Sequence, residues 1–296
     1  MGANTSIQWT DHTFNPWWGC SRVSAGCANC YAETFAGRFG VGWGNSPRRI
    51  ASEKVWGQPE RWNSAAKKSG KRARVFCSSM ADVFEDLQEL AAPRQRLWNL
   101  IRATPWLDWQ ILTKRPENIK RFLPIGIEWG EGWPNVWLGT SAENQRTFNK
   151  RVPRLLEVPA VVHFVSAEPL LDSLDLRGKD FQDSAIDAFE NDPKINWVIV
   201  GGESGTKARA FSVEWARSII QQCKAAGVAC FVKQLGAKPY WENLYARSEF
   251  DEGAGAIELD DRKGGDWGEW YPDLRVRKFP KILNGGLGKK ENRPIP

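Results

Sequence analysis

Cys20, Cys27 and Cys30 stand within eleven residues of one another in the spacing C-x6-C-x2-C, whereas Cys77, Cys223 and Cys230 are scattered. Thiolates set this closely are soft ligands that select zinc or an iron–sulfur cluster. A structural zinc site asks for four ligands, and the sequence offers no partner C-x2-C or H-x3-H pair, with His12 the only histidine nearby. Three cysteines without an evident fourth suit a [4Fe–4S] cluster whose open iron can chelate the amino and carboxylate groups of S-adenosylmethionine. Zinc and unliganded thiols are the competing readings. The only histidines, His12 and His163, argue against an imidazole-driven catalytic site. Cys223 and Cys230 sit in apolar contexts that suit small core hydrophobes. Cys77 ends an apolar run and admits three readings: packing, a relay thiol or a fourth ligand.

The remaining candidate chemistry lies just past apolar runs. Cys77–Asp82, Thr113–Pro116, Ser141–Asn144, Ser166–Pro169, Gly201–Gly205 and Lys233–Gly236 each carry polar, versatile side chains directly after a strand-like segment. In parallel α/β folds the C-terminal strand ends carry the active site, so six such tails predict a rim. On that rim Gly201, Gly202, Glu203 and Ser204 suit cofactor binding, because glycine lets backbone approach closely and a carboxylate pairs with an ammonium. A tight strand–helix turn is the alternative there. Glu168 would face ribose hydroxyls or an ammonium, or cap a helix. Lys114, Arg115 and Lys233 would hold a carboxylate or phosphate, although Lys233 paired with a rim glutamate is an equal alternative. Asp82, Ser141, Glu143, Asn144 and Gln234 are candidate polar substrate contacts. Cys77 and Lys233 are the candidates for a direct catalytic role.

The elements that must position these residues read as alternating strands and helices. Apolar runs recur at Ser6–Thr10, Arg74–Ser78, Trp109–Thr113, Asn135–Gly139, Val161–Ser166, Trp197–Gly201 and Ala229–Lys233, the pattern of strands covered on both faces. Helical periodicity falls between them at Pro93–Ala103, Glu117–Phe122, Gln145–Leu156 and Ser212–Ala226, the last capped by Ser212 and stopped by Gly227. The expected class is therefore α/β, a full or partial (β/α) TIM-type barrel over residues 1–239 with the cysteine loop at 15–31. Residues 240–296 read as an irregular Trp- and Gly-rich C-terminal extension that covers the barrel mouth or meets substrate, with Lys289–Pro296 a solvated tail.

Composition bounds the rest. The chain of 296 residues is 42% hydrophobic and 26% charged, an ordinary globular balance. No run approaches the roughly 18 apolar residues of a membrane span, and the N-terminus lacks a secretory pattern, so a cytoplasmic setting without membrane contact is expected. The net charge of +6 suits a polyanionic partner, and the 17 tryptophans are several-fold above the usual content. Most of them are expected in packing, while a few are compatible with stacking on bases.

The ordered motifs Asn15–Tyr31, Phe76–Phe84, Leu112–Pro116, Leu138–Asn144, Glu168-Pro169-Leu170-Leu171, Val198–Gly205 and Lys233-Gln234 resemble those of a phage and bacterial radical-SAM-like "three-Cys-motif" family. The match spans roughly residues 8–236. It departs from the common radical-SAM pattern in a six-residue first gap and in Asn29 before the last cysteine, where an aromatic is usual. The resemblance implies a radical-SAM barrel with a [4Fe–4S] cluster on Cys20, Cys27 and Cys30, and with S-adenosylmethionine as cosubstrate. It implies work on hypermodified thymine in phage DNA, in the host cytoplasm, with isomerisation of N-linked α-glycinylthymidine to its C-linked form as the best-defined activity. Hydrogen abstraction from the glycyl methylene, followed by N-to-C migration, is the implied course. A flavodoxin or ferredoxin would donate the electron. A radical-SAM enzyme on a free nucleotide or small metabolite, and a non-catalytic zinc or cluster nucleic-acid-binding protein, are the other readings.

Overall fold

A computed structural model describes residues 5–124, 129–177, 194–242 and 254–281. Seven strands form one sheet in chain order: β1 (His12–Thr13), β2 (Ala73–Cys77), β3 (Leu107–Thr113), β4 (Val136–Ser141), β5 (Val162–Ala167), β6 (Trp197–Gly201) and β7 (Ala229–Gln234). All neighbours are parallel, and β1 and β7 are edge strands of that sheet. The fold is a partial (β/α) barrel. The helices include α1 (Tyr31–Gly37), α2 (Gln58–Ser69), α3 (Ala91–Ala103), α4 (Gln145–Leu156) and α5 (Val213–Ala225). Ser212 caps α5 by accepting from the Glu214 backbone, and Gly227 follows the helix at φ 68°.

The strands are apolar throughout because both faces are covered, and side chains alternate between them. In β6, Trp197 and Ile199 enter an inner cluster with Phe76, Trp137, Phe164 and Phe231. Val198 and Val200 instead join the layer formed with Ala216 and Ile219 of α5. The inner cluster also proves the curl. The Trp9 ring lies 4.6 Å from Phe76 on β2 and 5.9 Å from Trp197 on β6, centroid to centroid. Those strands would stand ~19 Å apart in a flat sheet.

Trp9 also explains where the expected first strand fails. Residues Ser6–Thr10 form no strand; the ladder belongs to His12–Thr13, where the Asp11 amide donates to Arg74 O and the Phe14 amide to Phe76 O. The chain turns from Ile7 to Thr10 so that the indole of Trp9 fills the barrel floor.

After β7, strand β8 (Pro239–Glu242) pairs with Phe211–Ser212 and with β9 (Ala254–Ala256). Residues 276–278 then run along β7, with Val232 N donating to Val276 O and Lys278 N to Cys230 O, and so cover its open edge. The glycine-rich stretch Asn284–Lys290 and the tail Lys289–Pro296 lie outside the described residues. Among the described residues no helix is long and apolar enough to cross a membrane.

Candidate functional site

The strand ends open into a cavity of about 770 Å³. Its apolar floor is Ile7, Trp9, Phe76 and Leu112, and its roof is the cysteine loop, with Cys20, Cys27 and Cys30 all on the wall. The loop is tied down at its start by the Asn15 carboxamide, which accepts from Met80 N at 2.8 Å, and by Gly19 N donating to Met80 O. Gly19 adopts φ 113° with the Arg48 side chain where a Cβ would stand, so only glycine fits before Cys20.

Two ion networks clamp the loop. Under Cys20, Arg115 donates to Asp82 Oδ2 (3.0 Å), Ser21 O (2.8 Å), Glu85 Oε1 (3.3 Å) and Cys20 Sγ (3.5 Å). Glu85 also accepts from Ser21 N and Oγ and from Arg48 through two nitrogens at 2.8 Å. Arg48 and Glu85 are almost wholly buried. Burial raises the Glu85 carboxyl, but Arg48, Ser21 and Arg115 outweigh it and hold the group below the usual carboxylate value. At the other end Glu203 accepts from Arg209 Nη2, Nε and N and from Asn29 Nδ2, all within 3.0 Å. Arg209 in turn donates to Ala25 O in the loop. Burial raises Glu203, and the Arg209 and Asn29 bonds more than offset that. Between these clamps, Gly26 N donates to Glu143 Oε1 at 3.3 Å.

The expected site residues fall into two groups. Asp82, Lys114, Arg115, Ser141, Glu168, Gly202, Glu203, Ser204, Lys233 and Gln234 line the same cavity as the three cysteines. Strand alternation explains Ser141, Ser166 and Lys233, each two residues beyond an inward position. Lys233 Nζ pairs with Glu168 Oε1 at 2.8 Å, Lys114 Nζ donates to Ser141 Oγ at 3.2 Å, and Gln234 Nε2 donates to Gly202 O. Gly201 packs against Glu168, and a Cβ on Gly202 would stand 2.3 Å from Leu235 O.

Outside the cavity wall are Gly201, Cys77, Glu143 and Asn144. Phe76 points inward, so Cys77 points outward into the buried cluster with Val83, Ile111 and Leu138, where burial raises its thiol pKa. Glu143 is buried against Arg151 (2.8 Å). Asn144 caps α4, its side chain accepting from Thr147 N in a capping box. Sequence reasoning missed Arg48, Glu85 and Arg209, which carry no motif; the extension expected over the barrel mouth brings Asp261, Lys263 and Gly265 to the cavity lining.

The donor set fits an iron–sulfur cluster. Cys20, Cys27 and Cys30 stand on one cavity wall and are soft donors, and among the described residues no group of three His, Cys, Asp or Glu is placed to hold a metal ion. The group against Cys20 Sγ is a guanidinium, a donor that a cluster-bound thiolate accepts. Burial and the Asp82 charge push the free Cys20 thiol up to about 12 against the pull of Arg115, and coordination is what deprotonates such a thiol.

Fold and site together define a partial (β/α) barrel with a thiol-bearing loop clamped over its strand ends. The chain belongs to the family described as "Protein of unknown function (DUF5131)", which it matches over residues 4–278. Comparison with curated proteins finds no match. Among solved structures it is similar to spore photoproduct lyase complexed with dinucleoside spore photoproduct, at 11% identity and TM-score 0.46, over 86% of this chain and 70% of that one. A spore photoproduct lyase mutant with bound AdoMet and dinucleoside spore photoproduct gives 10% identity and TM-score 0.42, over 77% of this chain and 57% of that one. At these scores the likeness carries no argument about chemistry.

Proposed function

We propose that the protein is a radical S-adenosylmethionine enzyme that acts on thymine in DNA, isomerising N-linked α-glycinylthymidine to its C-linked form. The observation that carries this reading is the meeting of three loop thiols and the polar strand-end tails on one cavity. Cys20, Cys27 and Cys30 would hold a [4Fe–4S] cluster. When bound, the cluster and the sulfonium cosubstrate supply one-electron cleavage and abstraction of an unactivated hydrogen.

This chain's residues bind, orient and exclude water. The cavity volume lies within the roughly 300–1,000 Å³ of small-molecule sites, and Ile7, Trp9, Phe76 and Leu112 give it an apolar floor. Gly202 lines the cavity while its Cβ side is taken up by the Leu235 carbonyl, and the Lys233–Glu168 pair offers a cation for a carboxylate and an anion for an ammonium or ribose. The Glu203 carboxylate is saturated by Arg209 and Asn29, so its part is to position the loop. Lys114, Ser141 and Gln234 line the cavity and in this reading would hold the substrate base. Cys77 faces the opposite layer, and no step uses it. A flavodoxin or ferredoxin would supply the electron.

The test is anaerobic reconstitution with reductant and S-adenosylmethionine, presentation of DNA bearing N-linked α-glycinylthymidine, and nucleoside mass spectrometry. The expected result is the C-linked nucleoside with 5′-deoxyadenosine formed or recycled. Reconstituted protein that leaves both the nucleoside and the cosubstrate unchanged contradicts the proposal.

A further inference from the structure

Nine large apolar side chains are exposed among the described residues, and five of them (Val23, Tyr31, Phe35, Phe39 and Ile50) belong to the cysteine loop, α1 and the Arg49–Ile50 strand. Helix α1 is built inside out. Its small residues Ala32 and Ala36 are buried with Met80 and Val41, whereas Tyr31 and Phe35 on the helix and Phe39 in the turn after it are exposed at 54%, 36% and 57%. These three rings are left out of the buried cluster that seats the helix. Exposed apolar area of this kind marks a surface for another molecule.

The surface has a defined chemistry. Phe35 and Phe39 lie 5.0 Å apart at 56°, and Trp18 stands 5.8 Å from each at 43° and 85°, so the three rings form one contiguous cluster that offers tilted and edge-on faces. Arg49 lies 6.0 Å from the Trp18 centroid, and Arg22 and Arg38 are exposed beside the helix. The nearest acid, Glu33, is already engaged by Arg22 at 2.7 Å. The surface is therefore cationic and aromatic. It is also continuous with the candidate site, because Tyr31 and Phe35 line the cavity with Cys30. Helical rise separates Tyr31 from Phe35 by about 6 Å, and Phe39 in the turn after the helix extends the row, longer than one stacking repeat of roughly 3.4 Å.

We propose that this face of α1 is a track for single-stranded DNA, on which bases flanking the target stack while Arg49 and Arg38 meet the phosphates. The inference rests on the DNA reading of the site and adds where an unpaired strand lies. A track beginning at the cavity mouth would feed an extruded base inward while its neighbours stay stacked on the rings.

Fluorescence anisotropy with a labelled oligothymidylate and a duplex of equal length tests this, using the full chain without added cofactor. The wild-type chain is expected to bind the single strand more tightly than the duplex. Phe39→Ala is expected to weaken single-strand binding about 5- to 150-fold, the range of one base–aromatic stack, with an unchanged melting temperature. Arg49→Gln should lower the slope of log K against log salt by about 0.7. Equal binding by Phe39→Ala and wild type, or no binding by wild type, overturns the track. So does a defect of Phe39→Ala confined to reduction by an acidic electron-transfer protein. Because this assay needs no cluster, its failure is separable from that of the radical reading, which 5′-deoxyadenosine formation by the reconstituted chain reports.

Discussion

Replacing Arg115 by methionine probes the clamp under Cys20. The guanidinium is 8% exposed and meets Asp82, Glu85, Ser21 O and Cys20 Sγ. After its removal Glu85 keeps Arg48 and Ser21, but Asp82 keeps only neutral donors: Thr113 Oγ1, Lys114 N and Phe84 N. One carboxylate is then buried without a cation. Removing one member of a buried pair costs about 3–5 kcal/mol, and the surviving donors place this case near 3. For a domain of this size each kcal/mol moves the melting temperature by about 2–4 °C, so a fall of about 6–12 °C is expected in a circular dichroism melt. Cys20 should react faster with a thiol reagent, because the loop loses its tie through Ser21. The double variant Arg115→Met/Asp82→Asn should recover part of the loss, since the uncompensated charge is gone. A loss under about 1 kcal/mol with unchanged Cys20 reactivity, or a double variant as destabilised as the sum of its parts, would refute the reasoning.

Gly202→Ala sets a Cβ 2.3 Å from Leu235 O and 3.0 Å from Gly236 Cα; backbone must shift, and a loss of about 1–3 kcal/mol in denaturant unfolding is expected. Asn144→Ala removes the α4 capping box and should cost about 1 kcal/mol in the same measurement, while turnover per folded molecule stays at the wild-type value; a selective loss of turnover would restore Asn144 as a substrate contact. His163 is half-buried with its Nε2 2.7 Å from Val158 O, and desolvation lowers its pKa below 6.5 against the hydrogen bonds to Val158 and Lys194. The unfolded chain therefore binds a proton first as pH falls, and stability should decline below about pH 6.5 at up to ~1.4 kcal/mol per unit from this group. Urea melts of wild type and His163→Gln from pH 7.5 to 5 check this, and parallel pH dependences would dismiss the assignment.

Much of the barrel was legible because burial on both faces leaves continuous apolar runs. Trp197–Gly201 is a strand with the expected bounds, and Gln145–Leu156 is a helix with the expected bounds. Ser6–Thr10 misled because a turn carrying a core tryptophan shares the composition of a strand. Helix α2 was not expected; its Trp62 and Ala66 are the buried positions in an otherwise polar stretch. At the site, strand alternation was the neglected signal. Phe76 inward implies Cys77 outward, and Phe231 inward implies Lys233 at the rim. The clamps were illegible for another reason: Arg48 with Glu85 and Glu203 with Asn29 are pairs far apart in sequence, and only the fold makes them neighbours.

The central claim is tested most directly by metal and sulfide analysis of anaerobically reconstituted protein, joined to low-temperature electron paramagnetic resonance of its reduced form with and without S-adenosylmethionine. The account predicts one cubane of iron and sulfide per chain, lost in each of Cys20→Ala, Cys27→Ala and Cys30→Ala, and a reduced signal that changes when the cosubstrate is added. Tightly held zinc, no iron, or iron that survives replacement of all three cysteines would contradict it.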